Sequence, residues 1–410
     1  MKQFNVPVTY RSSLISSIKQ KRRLEDKLKK DFSPTKLDLG SLHIYLARHF
    51  GFCYGVENAI EIAFKTIEEN PTKRIFLLSE MIHNQLVNED LLQRGVKFLM
   101  DTKGNQLISF NTLTSDDIVI IPAFGTTLEI EHQLTALGIQ LTHYNTTCPF
   151  VEKVWNRAEA IAGKEYSIII HGKPTHEETR ATFSHSASNS PTVIVNDMKE
   201  TIELGKYITG EKPANDFYKE FQGQYSNGFN VEIDLERIGV VNQTTMLATD
   251  TEAISDYLRK IMILKYSLTD NVENHFADTR DTLCYATYEN QSAVSGMLET
   301  EADLSIVMGG YNSSNTSHLV ELSEDKLPTY FINSADKILS RDKIVHYDFR
   351  EKRTLQSDHF LPHKEPVKIL LTSGASCPDS VVEDVIRRLS QICKTDAQLE
   401  KWLKDLSGNE

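Results

Sequence analysis

The stretch HIYLARHFGFCYGVENAIEIAFKTIEE, residues 43–69, contains a β-rich run, a short turn and a helical pattern. Gly51 and Gly55 bracket the turn, which holds a single cysteine, Cys53. The residues after the turn have apolar positions at helical spacing, which predicts an amphipathic helix. A strand followed by a helix is the building unit of α/β proteins. The stretch therefore predicts an α/β fold with a cysteine at the entry of its first helix.

The same order of strand and helix continues along the chain. β-rich runs such as DIVIIPA, SIIIHG, RIGVVNQ, LSIVMGG and KILLTSG are separated by helical patterns. This alternation is typical of parallel sheets covered by helices. Residues 210–230 lack an apolar stripe and are predicted to be a surface insertion, as are residues 340–365 before the last strand.

Charge is distributed unevenly along the sequence. Residues 1–37 hold ten Lys or Arg and three acidic residues, a charge of +7, in a chain whose net charge is -12. An acidic body repels nucleic-acid phosphates, so no nucleic-acid partner is expected. The basic arm, with KQKRRLEDKLKK at residues 19–30, is predicted to be a solvated helix.

The expected location is the reducing cytoplasm. No run reaches the roughly 18 apolar residues of a membrane span, so no membrane partner is predicted. The arm lacks the apolar core of a secretory signal and resembles an organelle transit peptide poorly. An organelle stroma would be expected only for a plastid-bearing source. The five cysteines include no close pair and do not suggest a disulfide framework.

Three cysteines share a local context: Cys53, Cys148 and Cys284 each follow a strand or turn and open a helix. A helix N-terminus favours the thiolate that binds metals. If the carboxyl edges of three α/β units face a common centre, the three thiolates would meet there. Three thiolates suit an iron-sulfur cluster with one open iron better than a closed zinc site. Their spacing matches no compact metal motif, so an ordinary buried cysteine remains an open alternative.

Polar side chains follow several of the predicted strands. Many neutral donors with few cations can hold a diphosphate together with helix N-termini. His176 and Glu178, two residues apart, suit a general acid for a leaving hydroxyl. Each motif alone also fits a helix cap or an ordinary turn. The motifs contain His83 and Asn84; His171, Lys173, His176 and Glu178; Asn242, Gln243, Thr244 and Thr245; Asn312, Ser313, Ser314 and Asn315; and Ser373 and Ser376.

In this order, the motifs resemble the LytB/IspH family, diphosphate reductases of the non-mevalonate route to isoprenoids. The likeness runs from about residue 42 to residue 393. It implies three similar α/β domains in a pseudo-threefold trefoil around a central 4Fe-4S cluster, one iron of which is open to the substrate. We predict a basic arm at 1–41, domains at 42–148, 149–283 and 284–395, and a tail at 396–410.

The resemblance also implies roles for individual residues. Cys53, Cys148 and Cys284 are the implied cluster ligands. Glu178 is implied as the proton donor, with His176 beside it and Thr244 near the substrate carbon. The implied substrate-binding residues are His83, His176, Thr244, Thr245, Asn312, Ser313, Ser314, Asn315 and Ser376.

The implied reaction is the reductive removal of a hydroxyl from an allylic diphosphate, giving isopentenyl and dimethylallyl diphosphate. The chain has no GxGxxG nucleotide fingerprint, so the electrons are expected from a ferredoxin or flavodoxin. The rival interpretations are another three-cysteine iron-sulfur enzyme, such as a quinolinate-synthase-like lyase, and a non-catalytic iron-sulfur sensor. A lyase would need no external reductant.

Two positions depart from the bacterial pattern of the family. PAFG, with Phe124, stands where bacterial members have AHG, so one diphosphate donor is missing. This motif and the longer insertions resemble the plant and cyanobacterial branch. Cys377 replaces a small residue and has no expected ligand role.

Overall fold

The computed structural model describes residues 4–28, 30–269, 271–277 and 282–407. Residues 1–3 of the predicted arm and residues 408–410 of the predicted tail lie outside this described part of the chain. Two compact units are present. The first comprises Met1–Glu57, His83–Val87 and Tyr285–Glu410, and the second comprises Asn58–Ile82 and Asn88–Cys284. The domain boundaries inferred from the sequence remain a prediction.

The helices and strands alternate as the sequence predicts. The helices are α1 (Ser13–Glu25), α2 (Tyr54–Glu69), α3 (Gln85–Gln93), α4 (Leu128–Ala136), α5 (Pro149–Ala162), α6 (Glu177–Ala187), α7 (Met198–Thr209), α8 (Ala214–Glu220), α9 (Ala248–Tyr266), α10 (Tyr285–Met297), α11 (Ser314–Glu324), α12 (Asp379–Cys393) and α13 (Asp396–Ser407). The strands are β1 (Thr35–Asp38), β2 (Leu42–Leu46), β3 (Ile75–Leu77), β4 (Lys97–Phe98), β5 (Ile118–Ile120), β6 (Ser167–His171), β7 (Thr192–Val195), β8 (Ile238–Asn242), β9 (Leu304–Met308), β10 (Thr329–Ile332), β11 (Lys343–Asp348), β12 (Arg353–Asp358) and β13 (Val367–Ser373).

The first unit is built on a five-stranded sheet in the order β1-β2-β13-β9-β10. Strand β1 runs antiparallel to β2, and the other neighbouring pairs are parallel. Side chains of β2, β9 and β13 form a buried apolar core with those of α1, α10 and α12. Strands β11 and β12 form a separate antiparallel hairpin in the same unit.

The second unit contains two parallel sheets of three strands each, β4-β3-β5 and β7-β6-β8. The described part of the chain therefore has three α/β sheets with parallel pairing. This finding confirms the α/β class and the parallel sheets predicted from the alternation of strands and helices.

Parallel pairing places the polar motifs at shared sheet edges. His171 ends β6 directly opposite Asn242, which ends β8. Ser373 ends β13 opposite Met308, which ends β9. Because the carboxyl ends of parallel strands meet at one edge, the loops that follow them lie side by side, where α/β proteins bind ligands.

The basic arm departs from the prediction of a solvated helix. Leu14, Ile15 and Ile18 of α1 are buried in the core of the first unit, where α1 packs against α12. Lys19 pairs with Asp379 at 2.7 Å. The prediction was wrong because the apolar residues of the helix lie before the charged stretch 19–30 on which it rested. Strand β1, within the same arm, was also missed.

Residues 210–230 also depart from the prediction. Phe217, Phe221 and Phe229 of this segment are buried, and they belong to the apolar core of the second unit. The first two stack at a ring-centroid distance of 5.0 Å, because they are four residues apart on α8 and its C-cap. The segment is therefore an integral part of the core and not a surface insertion.

Ile15→Ala tests whether α1 contributes to the core. Ile15 is fully buried, so the substitution is expected to lower the free energy of unfolding by about 3 kcal/mol. The matched control is Leu24→Ala on the same helix, where the side chain is 67% exposed. Its cost should be about 0.5 kcal/mol or less. Urea unfolding followed by circular dichroism measures both, and equal stability of the two variants would contradict the burial of α1.

Candidate active site

The second unit holds a buried carboxylate at the start of α6. His176 is the N-cap of this helix, and its Nδ1 accepts the backbone N–H of Glu178 at 3.2 Å. The side chain of Glu178 is 1% exposed. A carboxylate in the first turn of a helix is favoured by the helix dipole. The local sequence THEET therefore places an acidic group inside the protein at a helix start.

Thr244 connects this carboxylate to one of the candidate cysteines. Its backbone N–H and its Oγ1 donate to the two carboxylate oxygens of Glu178, at 2.5 and 3.0 Å. Its carbonyl oxygen accepts the backbone N–H of Cys284 at 3.3 Å. One residue thus fixes the orientation of the acid and the position of the cysteine backbone. This contact brings together three residues that the sequence analysis selected separately.

Gln243 supports the same turn, although the sequence analysis gave it no role. The side chain is fully buried, and its Oε1 accepts from Thr179 Oγ1 at 2.9 Å and from the backbone N–H of Lys173 at 3.2 Å. Its Nε2 donates to Thr245 Oγ1 at 2.6 Å. Gln243 therefore ties the start of α6 to the turn after β8. The signal in the sequence was a long polar side chain that follows the apolar run IGVV and Asn242.

Cys148, the N-cap of α5, lies close to Cys284 and Glu178. Burial raises the pKa of the Cys148 thiol to about 11. Electrostatic repulsion by Cys284 and Glu178 raises this pKa further, whereas hydrogen bonds from the backbone N–H groups of α5 lower it. The expectation that the helix start lowers this pKa is therefore wrong, because desolvation outweighs the helix N-terminus. A thiolate is costly here unless a positive group such as a metal compensates it.

Phe124 occupies the position where the bacterial pattern has histidine. Its ring meets the His176 ring edge to face, with centroids 5.6 Å apart. Phe124 thus gives the imidazole an apolar neighbour on this side.

The first unit holds a second polar group, formed by loops after β9 and β13. Ser376 Oγ donates to the carbonyl of His83 at 3.1 Å, and Asn315 Oδ1 accepts the backbone N–H of Ala375 at 2.9 Å. The carbonyl of Ala375 accepts the backbone N–H of Cys53 at 3.2 Å. The third candidate cysteine therefore lies directly beside the residues proposed to hold a diphosphate.

Buried donors at the start of α11 lack partners among the described residues. Ser313 is the N-cap and accepts from the backbone N–H of Thr316 at 3.2 Å. Asn315 Nδ2 and Thr316 Oγ1 are shielded from solvent and have no hydrogen-bond partner in the described part of the chain. An unsatisfied buried donor is costly, and an anion that accepts from it removes the cost. A helix start with such donors fits a phosphate group.

The remaining cysteines lie in different surroundings. Cys377 is fully buried in the core of the first unit, and burial raises the pKa of its thiol to about 12. Burial also raises the pKa of Cys393, on α12. Neither residue belongs to the three cysteines that the resemblance implies as cluster ligands.

The predicted site residues are distributed over both units. The second unit contains Cys148, His176, Glu178, Thr244, Thr245 and Cys284, and the first contains Cys53, His83, Asn312, Ser313, Ser314, Asn315 and Ser376.

None of the helices in the described part of the chain combines the length and the hydrophobicity that a membrane span requires.

Comparison with known proteins identifies the family of this chain. The chain belongs to the LytB family, whose model, described as LytB protein, matches residues 44–390. Members of this family are iron-sulfur enzymes. The resemblance inferred from the motifs is thereby confirmed.

Curated relatives from cyanobacteria cover most of the chain. A protein of Picosynechococcus sp. is 39% identical over 93% of this chain and 89% of its own length. A protein of Cyanothece sp. is 37% identical over 95% of this chain and 91% of its own length. Both are named 4-hydroxy-3-methylbut-2-enyl diphosphate reductase. These relatives fit the predicted likeness to the cyanobacterial branch.

Two solved structures share the fold. One, described as (E)-4-hydroxy-3-methyl-but-2-enyl diphosphate reductase, the terminal enzyme of the non-mevalonate pathway, has a TM-score of 0.52 and 24% identity, covering 85% of this chain and 99% of its own. The other is E-1-hydroxy-2-methyl-but-2-enyl-4-diphosphate reductase from Plasmodium falciparum. It has a TM-score of 0.61 and 23% identity, and the match covers 85% of this chain and 87% of that chain. They support the α/β fold.

Alkylation of Cys148 tests its surroundings in cluster-free protein. With a pKa of about 11, the thiol is almost fully protonated at pH 8, so iodoacetamide should modify it more slowly than it modifies glutathione. The expected difference is roughly tenfold or more, since the smaller thiolate fraction outweighs the higher nucleophilicity of a more basic thiolate. The rate should rise up to about pH 11. Peptide mapping by mass spectrometry measures it, and a rate that levels off below pH 9 would contradict the burial.

Proposed function

We propose that this chain reduces (E)-4-hydroxy-3-methylbut-2-enyl diphosphate to isopentenyl diphosphate and dimethylallyl diphosphate, the last step of the non-mevalonate pathway. The family and the names of its curated relatives support this reaction. The observation on which the proposal chiefly rests is the chain of hydrogen bonds from Glu178 through Thr244 to Cys284. These hydrogen bonds join the buried acid Glu178 to the backbone of a cysteine, a residue type that ligates metals.

The proposed cofactor is a 4Fe-4S cluster held by Cys53, Cys148 and Cys284, with one iron open to the substrate. The donor set fits it, because all three cysteines are partly exposed, whereas Cys377 is fully buried. Burial disfavours the thiolate of Cys148, and the positive charge of a bound metal offsets this cost. When bound, the cluster supplies electrons and a Lewis-acidic iron.

Glu178 is proposed as the general acid. The reaction takes up two electrons and two protons, breaks the allylic C–O bond, forms one C–H bond and releases water. Hydroxide leaves poorly, so a proton from the Glu178 carboxyl lowers the barrier to breaking the C–O bond. Thr244 contacts both carboxyl oxygens of Glu178, which limits the directions in which Glu178 presents its proton.

His176 is proposed to contact the substrate through its other ring nitrogen. Its Nδ1 accepts a backbone N–H, so a neutral ring carries its proton on Nε2. That N–H is a donor for a substrate oxygen. Phe124 packs against the ring and limits its rotation. In this chain an apolar neighbour therefore orients His176, at a position where bacterial members of the family have a polar side chain.

The diphosphate is proposed to bind at the start of α11 in the first unit. The unpartnered donors of Asn315 and Thr316 and the start of the helix favour an anion. Ser313, Ser314, Ser376, His83 and Asn312 complete the proposed set, and Thr245 is proposed to contact the substrate beside Thr244. These groups bind a diphosphate without lysine or arginine, which suits an acidic protein.

Electrons are proposed to come from a ferredoxin or flavodoxin in the cytoplasm. Product formation with dithionite and a mediator separates this function from its rivals. A lyase would turn over without reductant, and a sensor would not form isopentenyl diphosphate. Turnover that depends on reductant supports the proposal, and its absence with a fully loaded cluster contradicts it.

Glu178→Gln tests the proton donor. The substitution keeps the shape of the side chain but removes the acid, so turnover should fall by roughly 10² or more. Cluster content and substrate binding should persist. Glu159→Gln, on the exposed face of α5, is the matched control and should keep full activity. The assay uses saturating dithionite so that electron supply does not limit the rate; near-normal turnover of Glu178→Gln would refute the assignment.

Iron content tests the ligand set. Serine at Cys53, Cys148 or Cys284 should remove most of the roughly four irons expected per chain of anaerobically purified protein. Alanine at Cys377 or Cys393 should leave the iron in place. Iron analysis and the visible absorbance of the cluster measure this. A cluster that survives the loss of Cys148 but not that of Cys377 would be incompatible with the proposed ligands.

A further inference from the structure

Asp342, His359 and His363 form a group of metal-ligating side chains away from the residues discussed above. One ligand atom from each lies within 4.8 Å of the other two. All three belong to the first unit, and they flank the β11–β12 hairpin in sequence. The site proposed for the reaction does not use them.

The register of the hairpin explains why these residues meet. Lys343 pairs with Asp358 at the open end of the hairpin, so Asp342 and His359 are the next residues on the two strands. The backbone N–H of Phe360 approaches the carbonyl of Asp342 at 3.4 Å. The group therefore lies where the two ends of the hairpin are held together.

The backbone at His359 has an uncommon conformation. Its φ is +54°, in the left-handed region that residues with a Cβ rarely adopt. This conformation turns the chain directly after β12. His363 lies four residues further along the chain. Strain of this kind persists where surrounding interactions maintain it, and it is enriched at binding sites.

The charge of Asp342 has a single weak partner, His359, among the described residues, and about half of the Asp342 side chain is exposed. Its Oδ1 is shielded from solvent and accepts no hydrogen bond from the described part of the chain. The nearest ionisable group recorded for it is Nδ1 of His359 at 3.9 Å, which is beyond hydrogen-bond distance. The neighbouring lysines lie nearer to other carboxylates: Lys364 pairs with Asp303 at 2.5 Å, and Lys343 is 3.8 Å from Asp358. A cation between the carboxylate and the imidazoles would neutralise this oxygen.

We propose that Asp342, His359 and His363 bind a zinc ion. Two imidazoles and one carboxylate are ligands that zinc accepts, and calcium and magnesium prefer all-oxygen sites. Tetrahedral zinc with bonds of 2.0 to 2.1 Å places its ligand atoms about 3.3 Å apart. The side chain of His359 is 77% exposed, so it can rotate to shorten the present 3.9 Å. A water completes the fourth position, and the ion ties the open end of the hairpin to the segment before β13.

Zinc and cobalt titrations of the untagged, cluster-loaded full chain test this site. The protein should take up one equivalent of zinc, and His359→Ala combined with His363→Ala should abolish this uptake. Asp342→Asn should weaken binding roughly tenfold or more. The matched control is His132→Ala, an exposed histidine on α4, which should bind as the unchanged protein does.

Cobalt identifies the ligands and separates this site from the cysteines. In difference spectra from which the absorbance of the cluster-loaded protein is subtracted, binding at Asp342 and the two histidines should give weak visible bands without the near-ultraviolet charge-transfer band of a cobalt thiolate. A thiolate band, or uptake that the double histidine variant retains, would overturn the proposal. So would the absence of zinc binding by a folded protein.

Thermal unfolding checks the consequence for the fold. Zinc at 100 times its dissociation constant should raise the unfolding temperature of the unchanged protein but not that of the double histidine variant. Reductive turnover should be the same in both, because the group lies outside the proposed catalytic residues. An equal zinc-dependent shift in both proteins would contradict the assignment.

Discussion

The hydrogen bonds of Thr244 are the interactions on which the proposed chemistry of the second unit depends. The same residue donates twice to the carboxylate of Glu178 and accepts from the backbone of Cys284. The position of the acid is thereby coupled to that of a cysteine more than a hundred residues away along the chain. Gln243 holds the turn that carries Thr244, so a movement of this turn would displace acid and cysteine together.

The sequence analysis predicted the fold class because the signal repeats. Strand-length apolar runs followed by helical patterns occur throughout the chain, and parallel pairing brings their carboxyl ends to one edge. The site motifs were visible for the same reason, since they follow those strands. What the sequence could not show was how Thr244 and Gln243 link them, because these contacts depend on the packing of α6 against the turn after β8.

The predictions that failed rested on local composition. The charged stretch after Ile18 suggested a solvated helix, but one turn of apolar residues before it is enough to bury α1. Phe217 and Phe221 form a short apolar face that a search for a longer stripe overlooks. The thiol of Cys148 was expected to ionise easily at a helix start. The degree of burial, which raises its pKa, depends on tertiary packing.

The pairing of β2 with β13 has a consequence for the order in which the chain folds. Leu42 of the first of these strands is paired with Val367 of the second, so β2 pairs with the central strand of the five-stranded sheet across more than 300 residues of sequence. On the ribosome, β2 must wait until β13, more than 300 residues later, has been synthesised before it finds this neighbour. The two sheets of the second unit draw all their strands from residues 75–242 and can close earlier. Because domains form as their segments emerge, the second unit is expected to fold first. Until β13 and α12 have been synthesised, α1, β1 and β2 cannot pack into the core of the first unit.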